Sequence, residues 1–438
     1  MSIQVSPANL EFSKPVSSAA QARATYLTKL LDLAQSTVTE TSELQALRDH
    51  AALRVQEQTF PSTRDEEWRF TDLSDLLAVE LNAAERSAVT PDAIARFVLP
   101  DTTRLVFVNG FYAPELSDIG TLPARLTVGN MSSASDQQRQ TYLGQQSGAE
   151  EVFTALNTAG LSDAGFVFAA KNLVVDRPIH LLFVSTASQP VLIQPRCLVV
   201  AEPNSSLTVI EDHISLVESV YFTNSVAEIW LADNAQITHT RIQRDSQSAF
   251  HIGKTAVSQA RSSRYIGTAV SFGARLSRHN LNIYQTGEQT ETVLNGLTVL
   301  KGEQVGDTHS SIALSKPYGT SRQVHKCIID DRAHGIFNGK VFVPKAAQLT
   351  DAGQLNRTLL LSPKARVDTK PQLEIVADNV KCTHGATVGQ LETDELFYLQ
   401  SRGIDASSAR KLLVYAFAYE ILSQIPLESL RQTLTSQL

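Results

Sequence analysis

Residues 166–390 consist of short apolar runs, each interrupted by Asn, Gly, Asp or Pro. Typical runs are PIHLLFVST, CLVVAEPNSSLTVIEDH and VAEIWLADNAQITHTRI. Helical periodicity is absent for about 200 residues, whereas many short strands with polar corners are typical of a sandwich, a barrel or a solenoid. This region therefore predicts a mainly β core.

The corners between the runs repeat one shape, a strand followed by a small polar corner and a second strand. Asn204 in AEPNSSLTVIED and Asn234 in LADNAQITHTRI hold equivalent positions, and SPKARVDTKPQLEIVADN has the same shape. Repeats of this kind without a strict six-residue period favour a right-handed parallel β-helix, with coils of about 20–25 residues. A sandwich or jelly roll is the alternative that the repeats leave open.

Helical patterns lie on both sides of this core. QARATYLTKLLDLAQ and TETSELQALRDHAALRVQEQ have apolar residues at helical spacing, and residues 85–165 mix both patterns. In that mixed part, Asn109-Gly110 between two apolar runs predicts a hairpin with a primed turn. We expect three regions: 1–165, helical with a mixed α/β segment; 166–390, the β-helix; and 391–438, helical.

The C-terminal region has a clear helix pattern. DASSARKLLVYAFAYEILSQIP predicts a helix with Asp405 or Ser407 as its N-cap and Leu412 on its apolar side. A solenoid must protect its open ends, and terminal helices can do this. The same helices could equally serve as a docking surface for another protein.

Composition and missing motifs exclude several classes of function. The net charge is −7 and the isoelectric point is about 5.8, so a duplex nucleic-acid surface is not expected. The sequence contains no phosphate-binding Gly-rich loop, G-x-S-x-G elbow or H-E-x-x-H pair. ATP hydrolysis and dinucleotide binding are therefore not predicted for this chain.

The sequence also bears on the compartment. Three distant cysteines (Cys197, Cys327 and Cys382) form no disulfide framework and fit a reducing cytosol. No apolar stretch of about 18 residues is present, and MSIQVSPANLEFSKPVSS does not resemble a secretory signal. We expect no membrane association and a cytoplasmic location, with the plastid stroma as the alternative.

Two Cys/His pairs have the spacing of residues on one face of a strand. They are Cys382 and His384 in NVKCTHGATVGQ, and His325 and Cys327 in QVHKCIIDDRAHG. Each pair supplies only half of a metal coordination shell, and a separation of two or three coils would place the pairs about 10–14 Å apart. Each pair fits either a partial metal site or a buried part of the core.

The remaining polar residues near these pairs receive simpler interpretations. We expect His309 and His334 to be loop histidines, and Asp330-Asp331 to be a solvated corner. A polysaccharide lyase on the same fold is an alternative function. That chemistry needs clustered Asp for calcium and a Lys or Arg base, whereas the acids here are scattered singly.

The longest informative stretches resemble a known family. PQLEIVADNVKCTHGATVGQLETDELFYLQSRGI and HGIFNGKVFVPKAAQLTDAGQLNRTLLLSPKARVDTKPQLEI resemble the C-terminal signature of the SufB/SufD family, scaffold proteins of the SUF iron–sulfur cluster assembly system. FPSTRDEEWRFTDL resembles the N-terminal Pro, Glu, Trp-Arg and Thr-Asp pattern of that family. The low cysteine content makes the chain most like the SufD branch.

The resemblance carries further expectations. It implies a non-enzymatic scaffold that pairs its β-helix with SufB and docks the ATPase SufC through its C-terminal helices. The functional Cys-x-His of the family maps onto Cys382 and His384, near the SufB–SufD interface, and does not extend to His325 and Cys327. Iron or a nascent cluster would be held transiently and shared with SufB, with no cofactor bound permanently. A homodimer of the isolated chain is a further expectation.

Overall fold

Two mainly parallel sheets face each other across a shared apolar core. The computed structural model describes residues 18–38 and 42–438. The first sheet contains β1 (Asn82–Ala83), β4 (Leu126–Asn130), β5 (Gly165–Ala169), β7 (Val191–Ile193), β8 (Arg196–Ala201), β10 (Phe222–Leu231), β12 (Phe250–Gln259), β14 (Leu276–Gln285), β16 (Val305–Ala313), β18 (His334–Val343) and β20 (Arg366–Ile375). The second contains β2 (Thr103–Val108), β3 (Phe111–Tyr112), β6 (Ile179–Ser185), β9 (Ser206–Ser215), β11 (Gln236–Arg244), β13 (Arg264–Ser271), β15 (Glu291–Leu300), β17 (Thr320–Ile329), β19 (Asp351–Leu360) and β21 (Lys381–Gly389).

Consecutive strands from β8 to β21 alternate between the two sheets, and each strand pairs in parallel with the strand two places away. This arrangement is a parallel β-solenoid, so the predicted β-helix core is confirmed. Val209, His239 and Gly267 occupy one row of stacked positions and show that a coil takes about 30 residues. The coils are therefore longer than we expected, because each contains two strands of nearly ten residues.

The asparagines at the corners stack in the same way as the strands. Asn172, Asn204 and Asn234 have φ angles of 63°, 59° and 59°, a left-handed conformation that asparagine tolerates better than most residues. The Asn204 side-chain amide donates to Asn172 Oδ1 at 2.8 Å, and that of Asn234 donates to Asn204 Oδ1 at 3.1 Å. The repeated asparagine in the sequence thus marks one corner of successive coils.

The predicted hairpin is confirmed. Asn109 and Gly110 link β2 to the antiparallel β3 with φ angles of 51° and 88°, as a primed turn requires. Strand β2 also pairs in parallel with β6, and β4 pairs with β5, so strands that precede residue 165 extend both sheets. The boundaries of the three predicted regions stay a prediction.

Helices cover parts of the outer surface. They are α1 (Ser18–Ser36), α2 (Ser42–Gln56), α3 (Ser74–Leu77), α4 (Pro91–Ile94), α5 (Asp136–Tyr142), α6 (Val152–Ala159), α7 (Thr393–Ser401), α8 (Ala406–Leu422) and α9 (Glu428–Thr435), with 3₁₀ turns at Glu66–Trp68, Ala95–Phe97, Pro114–Leu116 and Met131–Ser133. Helix α6 is buried throughout between α1, α2 and the first sheet. Among the residues described, no helix is both long and apolar enough to cross a bilayer.

The C-terminal helices lie along the side of the solenoid. Asp405 accepts hydrogen bonds from the backbone of Ser407 and Ser408, as expected for the N-cap of α8. Helix α8 buries Ile421 and Leu422 against the outer face of the second sheet. The predicted apolar side of α8 is only partly buried, because Ala409 and Ile421 are buried whereas Leu412 is 45% exposed.

The last coil, formed by β20 and β21, is uncovered. Strand β20 ends one sheet and β21 ends the other, and nearly all of their residues are partly or fully exposed. Two roles were expected for the C-terminal helices, namely covering an open end of the solenoid or docking another protein. Helix α8 lies along the side of the solenoid, which contradicts the first role for this end. The open edges of β20 and β21 are left as unpaired strand edges, which favour pairing with another chain.

Candidate metal site and the polar interior

Cys382 and His384 lie on β21, in the last coil of the solenoid. Cys382 is paired in register with Ala352 and packs partly against the interior core, whereas His384 is paired with Gln354 and is exposed. Both positions continue inward-facing rows of the earlier coils. They are accessible because no further coil covers them.

The chemistry of this pair is that of an incomplete metal site. Partial burial, with the nearby Asp351 carboxylate, raises the pKa of the Cys382 thiol, so a cation must displace its proton to bind the sulfur. Among the residues that the structure describes, no group of three or more His, Cys, Asp or Glu side chains could hold a metal ion. The pair offers one sulfur and one nitrogen donor, and any fuller shell requires donors from outside this chain.

The other predicted pair belongs to the core. His325 and Cys327 are buried on β17, two strands away from β21 in the same sheet. His325 shares a hydrogen bond of 3.1 Å with Thr298 and stacks on Phe337 with ring centroids 4.9 Å apart. Burial lowers the pKa of His325 to about 4 and raises that of Cys327 to about 12. Of the two interpretations, the structure supports the buried core for this pair.

Two histidines expected in loops lie on strands. His309 is inside β16, and His334 begins β18, where its Nε2 is 2.7 Å from Asp368 Oδ2. The loop prediction was wrong because Ser310 and Gly335 beside these histidines are strand residues, and a Cβ at Gly335 would lie 2.5 Å from Ile329. Asp330-Asp331 does form a corner, with Asp331 exposed and in a left-handed conformation.

A charged cluster inside the solenoid was not predicted from the sequence. Glu211 is buried, with Oε1 2.7 Å from His213 Nε2 and Oε2 3.1 Å from His239 Nε2. Arg241 Nε lies 3.5 Å from Glu211 Oε1. Burial alone would raise the pKa of Glu211, but the two histidines and Arg241 outweigh it and hold that pKa well below its ordinary value. The interior therefore holds an ionised carboxylate.

The neighbouring His251 is held as a neutral imidazole. Its Nδ1 is 2.8 Å from Asp245 Oδ2, and its Nε2 accepts from Arg241 at 2.7 Å and is 3.0 Å from Ser225 Oγ. Burial lowers the pKa of His251 to about 4 despite the attraction of Asp245. Since Arg241 is a donor only, the geometry requires the Nδ1-protonated tautomer.

A row of hydrogen-bonding side chains continues from the middle of the solenoid toward its open end. Ser310 and Gln323 are hydrogen-bonded, and Gln354 donates to Gln323 Oε1 at 2.8 Å. The buried Oε1 of Gln354 has no hydrogen-bond partner, and His384 is the next residue in the row. The polar interior thus reaches the candidate metal site.

One signal in the sequence could have revealed this interior. Glu211 and His213 on β9 are two residues apart, as are His239 and Arg241 on β11, and Glu211 and Arg241 hold equivalent positions in successive coils. Polar residues that lie an even number of positions from an interior residue of the same strand also face the interior. A coil length of about 30 residues would have aligned Arg241 with Glu211.

Fold and site together define a parallel β-solenoid protein with an open final coil that carries one thiol and one imidazole. A family-wide sequence profile described as "SUF system FeS cluster assembly, SufBD core domain" matches residues 183–417, and one described as "SufBD protein N-terminal region" matches residues 21–181. The chain belongs to the SufB/SufD family of the SUF iron–sulfur cluster assembly system, and it is SufD-like.

Individual relatives agree with this assignment. An iron–sulfur cluster assembly SufBD family protein of Synechocystis sp. is 48% identical over 419 residues, which cover 92% of each chain. "Protein ABCI7, chloroplastic" of Arabidopsis thaliana is 33% identical over 399 residues, or 89% of this chain and 84% of the relative. The iron–sulfur cluster assembly protein SufD of Escherichia coli is 31% identical over 383 residues, or 86% and 88%.

Proposed function

We propose that this chain is a non-enzymatic scaffold subunit of a SUF assembly complex. In this proposal it pairs its last coil with SufB, docks the ATPase SufC through its C-terminal helices, and holds iron or a nascent cluster with Cys382 and His384. The observation that carries the proposal is the open last coil, which places the Cys-x-His pair on an unpaired strand edge.

The surface of the last coil supports pairing with another β-solenoid. Strands β20 and β21 each leave one edge of backbone hydrogen-bonding groups unpaired. Apolar side chains accompany these edges, since Val376 is 58% exposed and Val388 is 49% exposed. A partner with an equivalent open coil would pair with the edges and cover the apolar side chains.

The proposed cargo site depends on that partner. Cys382 and His384 supply two donors, whereas a mononuclear iron or zinc site generally uses four or more. The iron or cluster is therefore treated as cargo that is shared with SufB and released, and the partner completes its ligand shell. Because binding requires a deprotonated thiol and a neutral imidazole, cargo affinity should fall as pH falls.

The C-terminal helices support docking of a second kind of partner. Helix α7 and the N-terminal half of α8 project Phe397 (69% exposed), Tyr398 and Leu412 into solvent. The C-terminal half of α8 is fixed to the solenoid, where the buried Lys326 Nζ donates to the Phe417 carbonyl at 2.9 Å. A helical segment that is anchored at one end and exposes aromatic side chains at the other suits a protein-docking surface.

The expected compartment is the cytosol, or the plastid stroma as the alternative.

Anaerobic co-purification tests the proposal. The chain, tagged at its N-terminus, is expressed with SufB and SufC, and the retained partners and bound iron are measured. We expect both partners to be retained. His384→Ala should lower bound iron and cluster yield while retaining both partners, because His384 is exposed and its loss leaves the core unchanged.

Thr383→Ala is the matched control, since Thr383 is exposed on the same strand and faces the other way. Iron content should match the unsubstituted complex in this control. Equal iron content in the His384→Ala complex would reject the cargo role of the pair, and failure to retain SufB or SufC would reject the scaffold role.

A further inference from the structure

A cleft with both polar and apolar lining lies outside the solenoid and extends to Gln372 of β20. Its volume is about 890 Å³, and its floor is the outer face of the first sheet. The floor presents Lys254, Asn280, Asn338 and Lys340, and the facing wall includes Glu67 and Trp68. The wall comes from a segment that the proposed function does not use.

That segment, residues 61–77, is here called the strap. It contains most of the FPSTRDEEWRFTDL motif. Its ends are anchored by buried residues, Pro61 at one end and Leu73 and Leu76 at the other. Between these anchors only Thr71 is buried, and Trp68 is partly buried with its ring centroid 5.4 Å from that of Phe153. The other contacts of the middle of the strap are polar.

Arg278 of β14 makes the central contacts to the strap. Its guanidinium lies 3.9 Å from the centre of the Trp68 ring, and Nη1 donates to the Glu67 carbonyl at 2.7 Å. The same nitrogen pairs with the buried Asp307 at 2.7 Å, and Thr71 donates to that carboxylate. Arg278 and Asp307 thus form a fixed base for the strap.

His309 is the titratable contact between this base and the strap. Its Nε2 is 3.1 Å from Asp307 Oδ1, and its Nδ1 is 3.4 Å from Glu67 Oε2. Both ring nitrogens face carboxylates, which favours the doubly protonated imidazolium, whereas Arg278 Nη1, 3.3 Å from Nε2, opposes it. We propose that the strap closes the cleft and that protonated His309 is the latch that holds it closed.

The pKa shifts agree in sign with this latch. Burial alone would lower the pKa of His309, but Asp307 and the contact with Glu67 outweigh burial and raise it. The hydrogen bond from His309 lowers the pKa of Glu67. Asp307 belongs to the solenoid and stays beside His309 when the strap opens, so the closed strap binds the His309 proton more tightly through the contact with Glu67 alone. The contribution of His309 is complete below its ordinary pKa of about 6.5 and is lost as pH rises through the raised value.

Other charged groups near the latch are paired with opposite charges. Arg278 is the nearest cation and opposes protonation of His309, and Lys340 of β18 acts on Glu67 while pairing with Glu374 at 2.7 Å. At the sides of the strap, Lys370 pairs with Glu66 at 2.9 Å and Arg275 pairs with Asp75 at 2.7 Å. Because the usual pKa values of Asp, Glu, Lys and Arg side chains lie outside pH 6 to 9, the pH dependence is assigned to His309.

Trp68 fluorescence tests the latch directly, because the chain contains only two tryptophans. In a Trp230→Phe background, acrylamide quenching of Trp68 is measured from pH 6 to 9 and corrected for the fluorescence lifetime. We expect the quenching constant and the emission wavelength to rise with pH, with a midpoint above about 6.5, the ordinary value for histidine. Far-UV circular dichroism should stay constant, since the solenoid does not depend on the latch.

Two variants separate the latch from other effects. His309→Gln should have an exposed Trp68 and no pH transition, and Glu67→Gln should move the midpoint to lower pH. His334→Gln is the matched control, because His334 also pairs with a carboxylate on this sheet, and it should keep the transition. Quenching that stays constant from pH 6 to 9 in the unsubstituted strap, or a transition that persists in His309→Gln, would overturn the proposal.

Discussion

Glu211 is held inside the solenoid by His213, His239 and Arg241 rather than by solvent. A buried charge that loses its partners keeps the cost of desolvation, whereas paired charges offset each other. The same reasoning applies to the neutral His251, whose two ring nitrogens both have polar partners. At the scale of single residues, the buried charged side chains are therefore stable in the interior only while all of their partners are present.

Glu211→Ala should lower the free energy of unfolding by about 3–5 kcal/mol, because it leaves Arg241 buried without its carboxylate partner. Urea unfolding followed by circular dichroism measures this change. Glu288→Ala is the control, since Glu288 is an exposed corner residue and its removal should change stability by less than about 0.5 kcal/mol. Equal effects of the two substitutions would contradict the structural role of the cluster.

The buried histidines also predict how stability depends on pH. Burial lowers the pKa of His325 to about 4, so below about pH 6.5 the unfolded chain binds a proton that the folded chain does not. Stability should therefore fall as pH falls from 6.5 to 4, by up to about 3 kcal/mol for this one residue. The free energy of unfolding of the unsubstituted chain and of His325→Gln is measured across this interval, and it should fall less steeply with falling pH in the variant. Equal slopes for the two chains would contradict the prediction.

The strands of the solenoid accommodate large polar side chains by placing glycine beside them. A Cβ atom at Gly296 would lie 2.0 Å from Nδ1 of His325, and one at Gly339 would lie 2.2 Å from Nε2 of Gln354. Glycine within a strand often marks such a close approach. At the scale of the element, glycines in β15 and β18 are thus part of the interior packing.

Gly296→Ala should destabilise the protein by about 1–3 kcal/mol, because the added methyl group must displace His325 from its stack on Phe337. Thermal unfolding provides the measurement. Gly389→Ala is the matched control in β21, since nothing lies within 4 Å of a Cβ at that position. A Gly296→Ala variant as stable as this control would show that the interior can rearrange freely.

The whole molecule presents two separate exposed surfaces, the last coil and the α7–α8 helices. Because α8 is fixed to the side of the solenoid, neither surface covers the other. In the proposed complex, each surface has its own partner. Substitutions on one surface should therefore leave binding at the other unchanged.

Val388→Lys should weaken SufB retention by about tenfold or more, since a buried charge in an apolar contact costs at least about 1.4 kcal/mol, and it should leave SufC bound. Phe397→Asp should have the opposite selectivity. Quantitative pull-down measures both, with Leu53→Lys as control, because Leu53 is an exposed apolar residue on α2. Loss of both partners from either variant would contradict two independent surfaces.

The fold could be predicted in outline because its signals are local. Strand length, apolar content and corner residues are properties of neighbouring residues. They predicted a mainly β core, the Asn109-Gly110 hairpin and the flanking helices, and they favoured the solenoid while leaving a sandwich open. The coil length was underestimated, and so the stacking partners could not be assigned. Without them, Glu211 and His239 were two unrelated polar residues in apolar strands.

The amino-acid sequence by itself determined the kind of fold, the family and the spacing of Cys382 and His384 on one strand face, since all three depend on residues close together in the chain. Only the tertiary structure decided which coil is last, which side chains enter the interior, and that His309 meets Glu67 from the strap. These facts depend on contacts between residues tens or hundreds of positions apart. Alternation along a strand fixes which side chains share a face, but the packing of distant segments decides whether that face meets core, solvent or another carboxylate.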